Sequence, residues 1–194
     1  MRYLINLSLF SIILFFTSCT REPLGIGEVI EPQVNPEGLY PGKQLYGWAK
    51  GTKNDYTWEA SSYFSFHVDG KNFIGMSFNT YSIEGYLRES FGFDEIPFDS
   101  IGVRRIKRGP SRYYDGACGS SYARLESDGD LLTAFYDLDE SASDNIIEIT
   151  RIDVNSRIVE GNFSATFLLE GYNPYYPKVA RFENVKFSSG FYQE

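Results

Sequence analysis

The feature that most restricts the fold of this sequence is an alternating pattern near the C-terminus, from Val159 to Glu170. One face of an extended chain would carry Val159, Phe163, Ala165, Phe167 and Leu169, and the other Glu160, Asn162, Ser164, Thr166 and Glu170. A period of two is typical of a strand that packs one face on a core. With the preceding apolar run and a turn at Asp153–Arg157, it predicts a hairpin over Asn145–Glu170.

Gly161 interrupts the alternating strand at a position that should face the core. A glycine inside a strand indicates a β-bulge or a close approach of another backbone. We therefore expect one of these two features at Gly161.

The rest of the chain from Leu45 shows the same kind of pattern. Turn signals such as Asp69-Gly70 recur about every 8–15 residues and separate runs of β-branched and aromatic residues. Aromatic residues make up 17% of the chain. No stretch shows a sustained helical period. The sequence predicts a single all-β domain over residues 45–194, an antiparallel β-sandwich or flattened barrel built as a meander of about 8–10 strands.

The N-terminus has the pattern of a secretory signal peptide. Arg2 precedes a nearly continuous apolar run from Leu4 to Phe16, which is too short for a stable membrane span. The ending Phe16-Thr-Ser-Cys19 resembles a bacterial lipobox, although Phe16 stands where leucine is preferred. The resemblance implies that residues 1–18 are removed and that Cys19 carries the lipid.

The segment that follows Cys19 is rich in proline and glycine. Residues 19–44 contain four of the eight prolines of the chain. This composition predicts an extended, lipid-anchored tether that holds the β-domain away from the membrane.

The body of the chain resembles small Gram-negative lipoproteins that carry a β-rich domain of unknown function. The resemblance covers most of residues 45–188 and is clearest in the runs NIIEITRID, IVEGNFSATF and FENVKF. It implies a cell-envelope location, with the protein anchored in the outer membrane through Cys19. Which face of the membrane displays the domain stays open, and the family has no catalytic residues to carry over.

Charge and composition limit the classes of partner. The formal net charge is −8, and phosphate contacts need a positive surface, so we expect no nucleic acid partner. His67 is the only histidine, which argues against a multi-histidine metal site. We expect no cofactor.

One acidic loop resembles a calcium-binding loop in its spacing. The candidate ligands are Asp137, Asp139, Ser141 and Glu148. The glycine that such loops need for their sharp turn is replaced by Ala142. The favoured interpretation is a solvated hairpin loop, so no metal site is assigned.

A basic run stands out in this acidic chain and consists of Arg104, Arg105, Lys107, Arg108 and Arg112. It indicates either an anion-binding surface or an edge strand that charge protects from pairing with another chain. Strand alternation divides these side chains between two faces, which favours the edge strand.

Aromatic residues in expected loops are the candidate ligand-binding residues: Tyr46, Trp48, Tyr113, Tyr114, Tyr172, Tyr175 and Tyr176. Flat rings can stack on sugars, and tyrosine and tryptophan are also frequent at protein interfaces. The alternative is ordinary packing in an aromatic-rich chain.

These features favour a non-catalytic binding or structural module of the cell envelope that engages a glycan or an envelope protein. An alternative is a lipocalin-like barrel that holds a small apolar ligand. A hydrolase is a third option, but Asp94, Glu95 and Asp99 lie in one predicted loop without a facing carboxylate cluster. We therefore predict no enzymatic activity.

Overall fold

The computed structural model describes residues 33–34, 38–66, 72–109 and 118–192. The signal peptide, Cys19, His67, Arg112, Tyr113 and Tyr114 lie outside the described residues. The described residues form eleven strands and no helix: β1 Gln33–Val34, β2 Gly47–Lys53, β3 Tyr56–Phe66, β4 Phe73–Tyr81, β5 Leu87–Pro97, β6 Gly102–Arg108, β7 Cys118–Leu125, β8 Leu132–Leu138, β9 Ile146–Asp153, β10 Ile158–Leu169 and β11 Val179–Phe191.

Most strands join in one sheet that closes on itself. The order is β3-β2-β11-β10-β9-β6-β7-β5-β4, and β4 pairs back with β3. Strand β8 bridges β7 and β10, and β1 adds a short parallel pairing to β3. The predicted all-β fold, with a sandwich or flattened-barrel architecture, is confirmed. Most pairs are antiparallel, but β3–β11 and β6–β7 are parallel, which a pure meander does not include.

The hairpin over Asn145–Glu170 is confirmed as β9, a turn and β10. The apolar face of β10 is buried from Val159 to Phe167, and the turn ends with Arg157 in the left-handed region. Both features expected at Gly161 are present. The β9–β10 register shifts between Glu160 and Gly161, and a Cβ on Gly161 would collide with the main-chain oxygen of Glu148.

Bulges interrupt the alternation of two strands. In β11, the register with β2 shifts between Glu183 and Lys186, and Asn184 has φ 50. Before that shift Ala180 and Phe182 are buried and Val179 is exposed, whereas Val185 and Phe187 are buried after it. Likewise, a bulge with Glu95 at φ 60 lets β5 continue to Pro97, where a loop was expected.

The interior of the closed sheet is filled by aromatic side chains. Phe78 and Phe91 stack with centroids 4.9 Å apart, and Phe182 stacks on Phe91 at 5.1 Å. Each of these rings is almost fully buried, as are Trp58, Phe64, Phe93, Phe163 and Phe167. Aromatic burial of this size is the main stabilising contribution that the fold offers.

Candidate functional site

A row of side chains on the outer face of the sheet forms the floor of the candidate site. Trp48 of β2 lies opposite Ser61 of β3, and Ser61 lies opposite Asn79 of β4. Directly opposed residues in a sheet share one face, and residues two positions apart also share it. Tyr63 and Tyr81 therefore extend the same face, while Phe64 and Phe78 point to the core.

The segment Tyr40–Tyr46 crosses this face as a strap. Tyr40 and Tyr81 exchange two main-chain hydrogen bonds, of 2.8 and 2.7 Å, and Gly190 donates to the main-chain oxygen of Tyr46 at 2.6 Å. The strap turns at Gly42, which has φ +62 and lies against the Tyr81 ring. These residues belong to the expected tether up to Gln44, so its last part is built into the fold.

The strap, the floor and the turn after β4 enclose a cleft of about 890 Å³. That volume is in the range of small-molecule sites. The lining includes five tyrosines, which come from four parts of the chain: Tyr40, Tyr46, Tyr63, Tyr81 and Tyr192. Tyr192 packs with its ring centroid 5.2 Å from that of Tyr46 and 5.1 Å from that of Tyr63. Such contacts fix the rings in place before a ligand arrives.

Asn79 gives the cleft a polar floor. The residue lines the cleft, yet it is only 7% exposed. The Ser61 hydroxyl donates to the main-chain oxygen of Asn79 at 3.3 Å. The side-chain oxygen Oδ1 is buried and accepts no hydrogen bond within the protein. A buried acceptor without a donor is costly and uncommon in native proteins.

The charged residues that line the cleft are balanced. Lys43 is its one basic residue and Glu84 its one acidic residue among the described lining residues. A hydrogen bond from the Ser82 side chain lowers the pKa of Glu84, so this carboxyl stays ionised at neutral pH. Ser82 also accepts a hydrogen bond from the main-chain N–H of Tyr86 at 3.3 Å.

The aromatic residues predicted from sequence fall into two separate groups. Tyr46 lines the cleft and Trp48 lies beside it on the same sheet face. Tyr172, Tyr175 and Tyr176 lie in the loop before β11, whereas Tyr46 lies near the other end of that strand, where Gly47 pairs with Ser189. Tyr172 and Tyr175 are strongly exposed, at 83% and 88%. The Tyr176 hydroxyl instead bonds Thr133 at 2.7 Å, and its ring lies under Arg124.

The candidate metal ligands are engaged with protein groups. Asp137 forms a two-point ion pair with Arg108, in which Nε donates at 2.8 Å. Asp139 accepts from the Ser141 main chain and hydroxyl, and Glu148 accepts from Asn162 at 2.9 Å. No group of three or more histidine, cysteine or acidic residues comes together in the described parts of the chain.

The basic run does not lie on an edge strand. Strand β6 pairs with β9 on one side and with β7 on the other. Arg104 is buried and donates to the main-chain oxygens of Gly102 and Ser100, whereas Arg105 is exposed. The edge-strand interpretation is therefore wrong, and the two faces of β6 divide the charges as alternation predicts.

A second polar cluster lies inside the sheet around Glu89. Its carboxylate is ion-paired with Lys53 and lies 3.8 Å from Arg124, and it accepts hydrogen bonds from Tyr122 at 2.6 Å, Thr80 at 3.2 Å and Trp58 at 3.3 Å. Burial alone raises the pKa of Glu89, but the Lys53 and Arg124 charges and the hydrogen bonds outweigh it and lower the pKa to about 2. Because Glu89 is 2% exposed, we interpret the cluster as structural.

Cys118 is a buried free thiol. Burial raises its pKa to about 12, so it is protonated at neutral pH and is a poor nucleophile. It therefore adds no reactive group to a site.

No apolar helix long enough to cross a membrane is found among the described residues. Comparisons with protein families, with curated proteins and with solved structures found no significant match.

Of the aromatic residues predicted from sequence, only Tyr46 is among the described residues that line the cleft. Tyr40, Tyr63, Tyr81 and Tyr192 were not among the predicted residues because they lie in the expected tether, in strands and at the chain end. The available signal was weak but present: Tyr63 and Tyr81 lie at positions that alternation assigns to an outer face, where a tyrosine is exposed unless something covers it.

Proposed function

We propose that this protein is a lipid-anchored module of the cell envelope, without catalytic activity, that binds a glycan in the tyrosine-lined cleft. The observation that carries the proposal is that five tyrosines converge on one cleft of about 890 Å³, whose lining also includes Ser61, Ser62 and Asn79. Tyrosine rings supply flat apolar surface and a hydroxyl at low entropic cost, and serine and asparagine supply hydrogen bonds to ligand hydroxyls.

The N-terminal sequence supports the membrane anchor in this proposal. The lipobox-like Phe16-Thr-Ser-Cys19 and the proline-rich segment after it support attachment of the lipid to Cys19 and a location at the outer membrane. The strap that forms one wall of the cleft begins at the end of this tether.

The lipocalin-like alternative needs a hollow apolar interior. The described interior is instead occupied by phenylalanine rings in mutual contact, such as Phe91 with Phe163 at 5.1 Å between centroids. The outer cleft is therefore the better candidate for a ligand site.

The test is a binding screen against envelope glycans with protein that starts at Thr20 and so lacks the lipid. We expect Tyr46→Ala to weaken binding about two- to tenfold, because it removes a ring contact worth about 0.5–1.5 kcal/mol. Tyr175→Ala, in the loop before β11, is the matched control and should bind as the unaltered protein does. If only Tyr175→Ala weakens binding, the ligand binds at that loop, and the proposal that it binds in the cleft is refuted.

A further inference from the structure

We propose that this protein pairs with a second copy of itself through an exposed apolar stripe on the outer face of β8, β10 and β11. The stripe consists of Phe135, Leu168 and Val179. None of these residues lines the tyrosine-lined cleft, so the inference does not depend on glycan binding.

The strand register shows that the three residues of the stripe are neighbours. Leu168 lies directly opposite Val179 of β11, and on its other side it lies opposite Asp137 of β8. Phe135 is two positions from Asp137 on the same strand, so its side chain shares this outer face. Phe135 is 50% exposed, and Leu168 and Val179 are each 41% exposed. Three large apolar side chains are therefore exposed side by side.

The loop between β10 and β11 extends this surface with two strongly exposed tyrosines. Tyr172 comes four residues after Leu168, and Tyr175 comes four residues before Val179. Asn173 orders the loop, because its side-chain oxygen accepts a hydrogen bond from the Tyr175 N–H at 3.0 Å. Contiguous exposed apolar surface marks interaction sites, and tyrosine is enriched in them.

Two unpaired charges beside the stripe indicate that the partner is a second copy. The N–H of Glu170 donates to the main-chain oxygen of Phe135 at 2.9 Å, which places Glu170 at one end of the stripe. Lys178 directly precedes Val179 at the other end. Both are exposed, and neither side chain forms an ion pair or hydrogen bond with another residue in the described parts of the chain. A patch with one anion and one cation at its ends is complementary to an identical patch.

Two further charged residues on this face are already paired. Asp137 is paired with Arg108, and Arg181 with both Asp144 and Glu183. With one unpaired charge of each sign beside it, the stripe carries little net charge. It therefore adds little to the repulsion that a formal charge of −8 creates between two copies.

A single two-fold axis satisfies the apolar and the charged contacts together. Phe135 and Val179 lie on opposite sides of Leu168, on β8 and β11. An axis through Leu168, diagonal to the strands and in the plane between two facing copies, exchanges Phe135 with Val179. On the regular spacing of strands and residues, the same axis exchanges Glu170 with Lys178. Apolar packing and charge pairing therefore have the same symmetry.

The experiment measures self-association by sedimentation equilibrium. It uses the whole mature chain, residues 19–194, with Cys19→Ser so that no lipid is attached. We expect a dimer with a dissociation constant of about 10–100 µM, because the patch is at the small end of specific interfaces. Glu170→Lys and Lys178→Glu should each weaken dimerisation about tenfold or more, since each variant places like charges against each other.

An equimolar mixture of these two variants should dimerise again. One copy then carries two lysines and the other two glutamates, so both charged contacts of the mixed dimer are favourable. Restored association in the mixture cannot come from a change within one copy. A mixture that stays as weakly associated as its components, or an unaltered chain that is monomeric at about 1 mM, would overturn the inference.

A second pair of variants tests the position of the interface. Tyr175→Ala removes an exposed ring without disturbing the core and should weaken dimerisation severalfold. Tyr86→Ala, which removes a half-exposed ring between β4 and β5, is the matched control and should leave dimerisation unchanged. A dimer that Tyr86→Ala weakens and Tyr175→Ala does not would place the contact elsewhere and also overturn the inference. Glycan binding by the cleft is measured separately and can hold or fail in either case.

Discussion

At the scale of single residues, Glu89 and Asn79 show two opposite solutions for a buried polar group. Glu89 is surrounded by two cations and three neutral donors, so its charge is fully compensated inside the core. Asn79 has an acceptor that nothing in the protein satisfies. The first arrangement stabilises the fold, whereas the second reduces its stability.

Glu89→Gln should destabilise the protein by about 3–5 kcal/mol, because the Lys53 and Arg124 charges then face a neutral amide in the core. The free energy of unfolding can be measured in urea. Glu59→Gln is the matched control, since Glu59 pairs with Lys50 at the surface, where such pairs contribute about 0–1 kcal/mol. A loss no larger than that of the control would show that the cluster does not stabilise the fold.

The same carboxyl predicts a pH dependence. The pKa of Glu89 is about 2 in the folded protein and 4.5 as its ordinary value, so folding depresses it. The stabilising contribution is complete above pH 4.5 and is lost as the pH falls from there towards 2. Urea denaturation between those pH values should show a steeper fall for the unaltered protein than for Glu89→Gln. Parallel curves for the two proteins would contradict this assignment.

At the scale of elements, the strap Tyr40–Tyr46 decides whether the cleft exists. It is held by the Tyr40–Tyr81 bridge at one end and by Gly190 at the other. Between them Gly42 has φ +62, and a Cβ there would lie 2.5 Å from the Tyr81 ring. Only glycine combines this conformation with this close contact.

Gly42→Ala should therefore displace the strap and open the cleft. Gly38→Ala is a closely matched control, because Gly38 also has φ +62 but a Cβ there meets nothing within 4 Å. Hydrogen exchange of the Tyr40 and Tyr81 amides measures the effect, and we expect faster exchange in Gly42→Ala alone. Equal exchange in the two variants would mean that the ring contact does not hold the strap.

The elements also show how far local sequence can predict this molecule. Alternation and turn residues predicted the β9–β10 hairpin and the consequences of Gly161, because both depend on neighbouring residues in one strand pair. The parallel pair β3–β11 differs in this respect. Gly190 pairs with Tyr63 across more than a hundred residues, and no local pattern encodes that parallel contact. The cleft was missed for the same reason.

At the scale of the whole molecule, the proposed tether and the β-domain have complementary roles. The chain would leave a lipid at Cys19, join the domain at β1 and then continue to the strap, which forms one wall of the cleft. The lipid would fix the location, and the closed sheet would provide a rigid frame for the tyrosines.

Cys19→Ser should release the protein from membranes in a Gram-negative cell, because no acyl chains can then be attached. Fractionation into membrane and soluble pools measures the change. Ser18→Ala keeps a small residue before the cysteine and serves as the control, which should remain with the membrane. Membrane association of Cys19→Ser equal to that of the unaltered protein would exclude lipid on this residue as the anchor.

Chemical-shift mapping with a neutral N-acetylhexosamine trisaccharide shows whether the tyrosine-lined cleft is the ligand site, as we claim. The shifted amides should cluster in residues 40–46, 61–63 and 79–85, the segments that contain most of the lining residues. The amides around Tyr172 and Tyr175 should remain in place. Shifts confined to that loop, or no shifts at millimolar sugar, would contradict the claim.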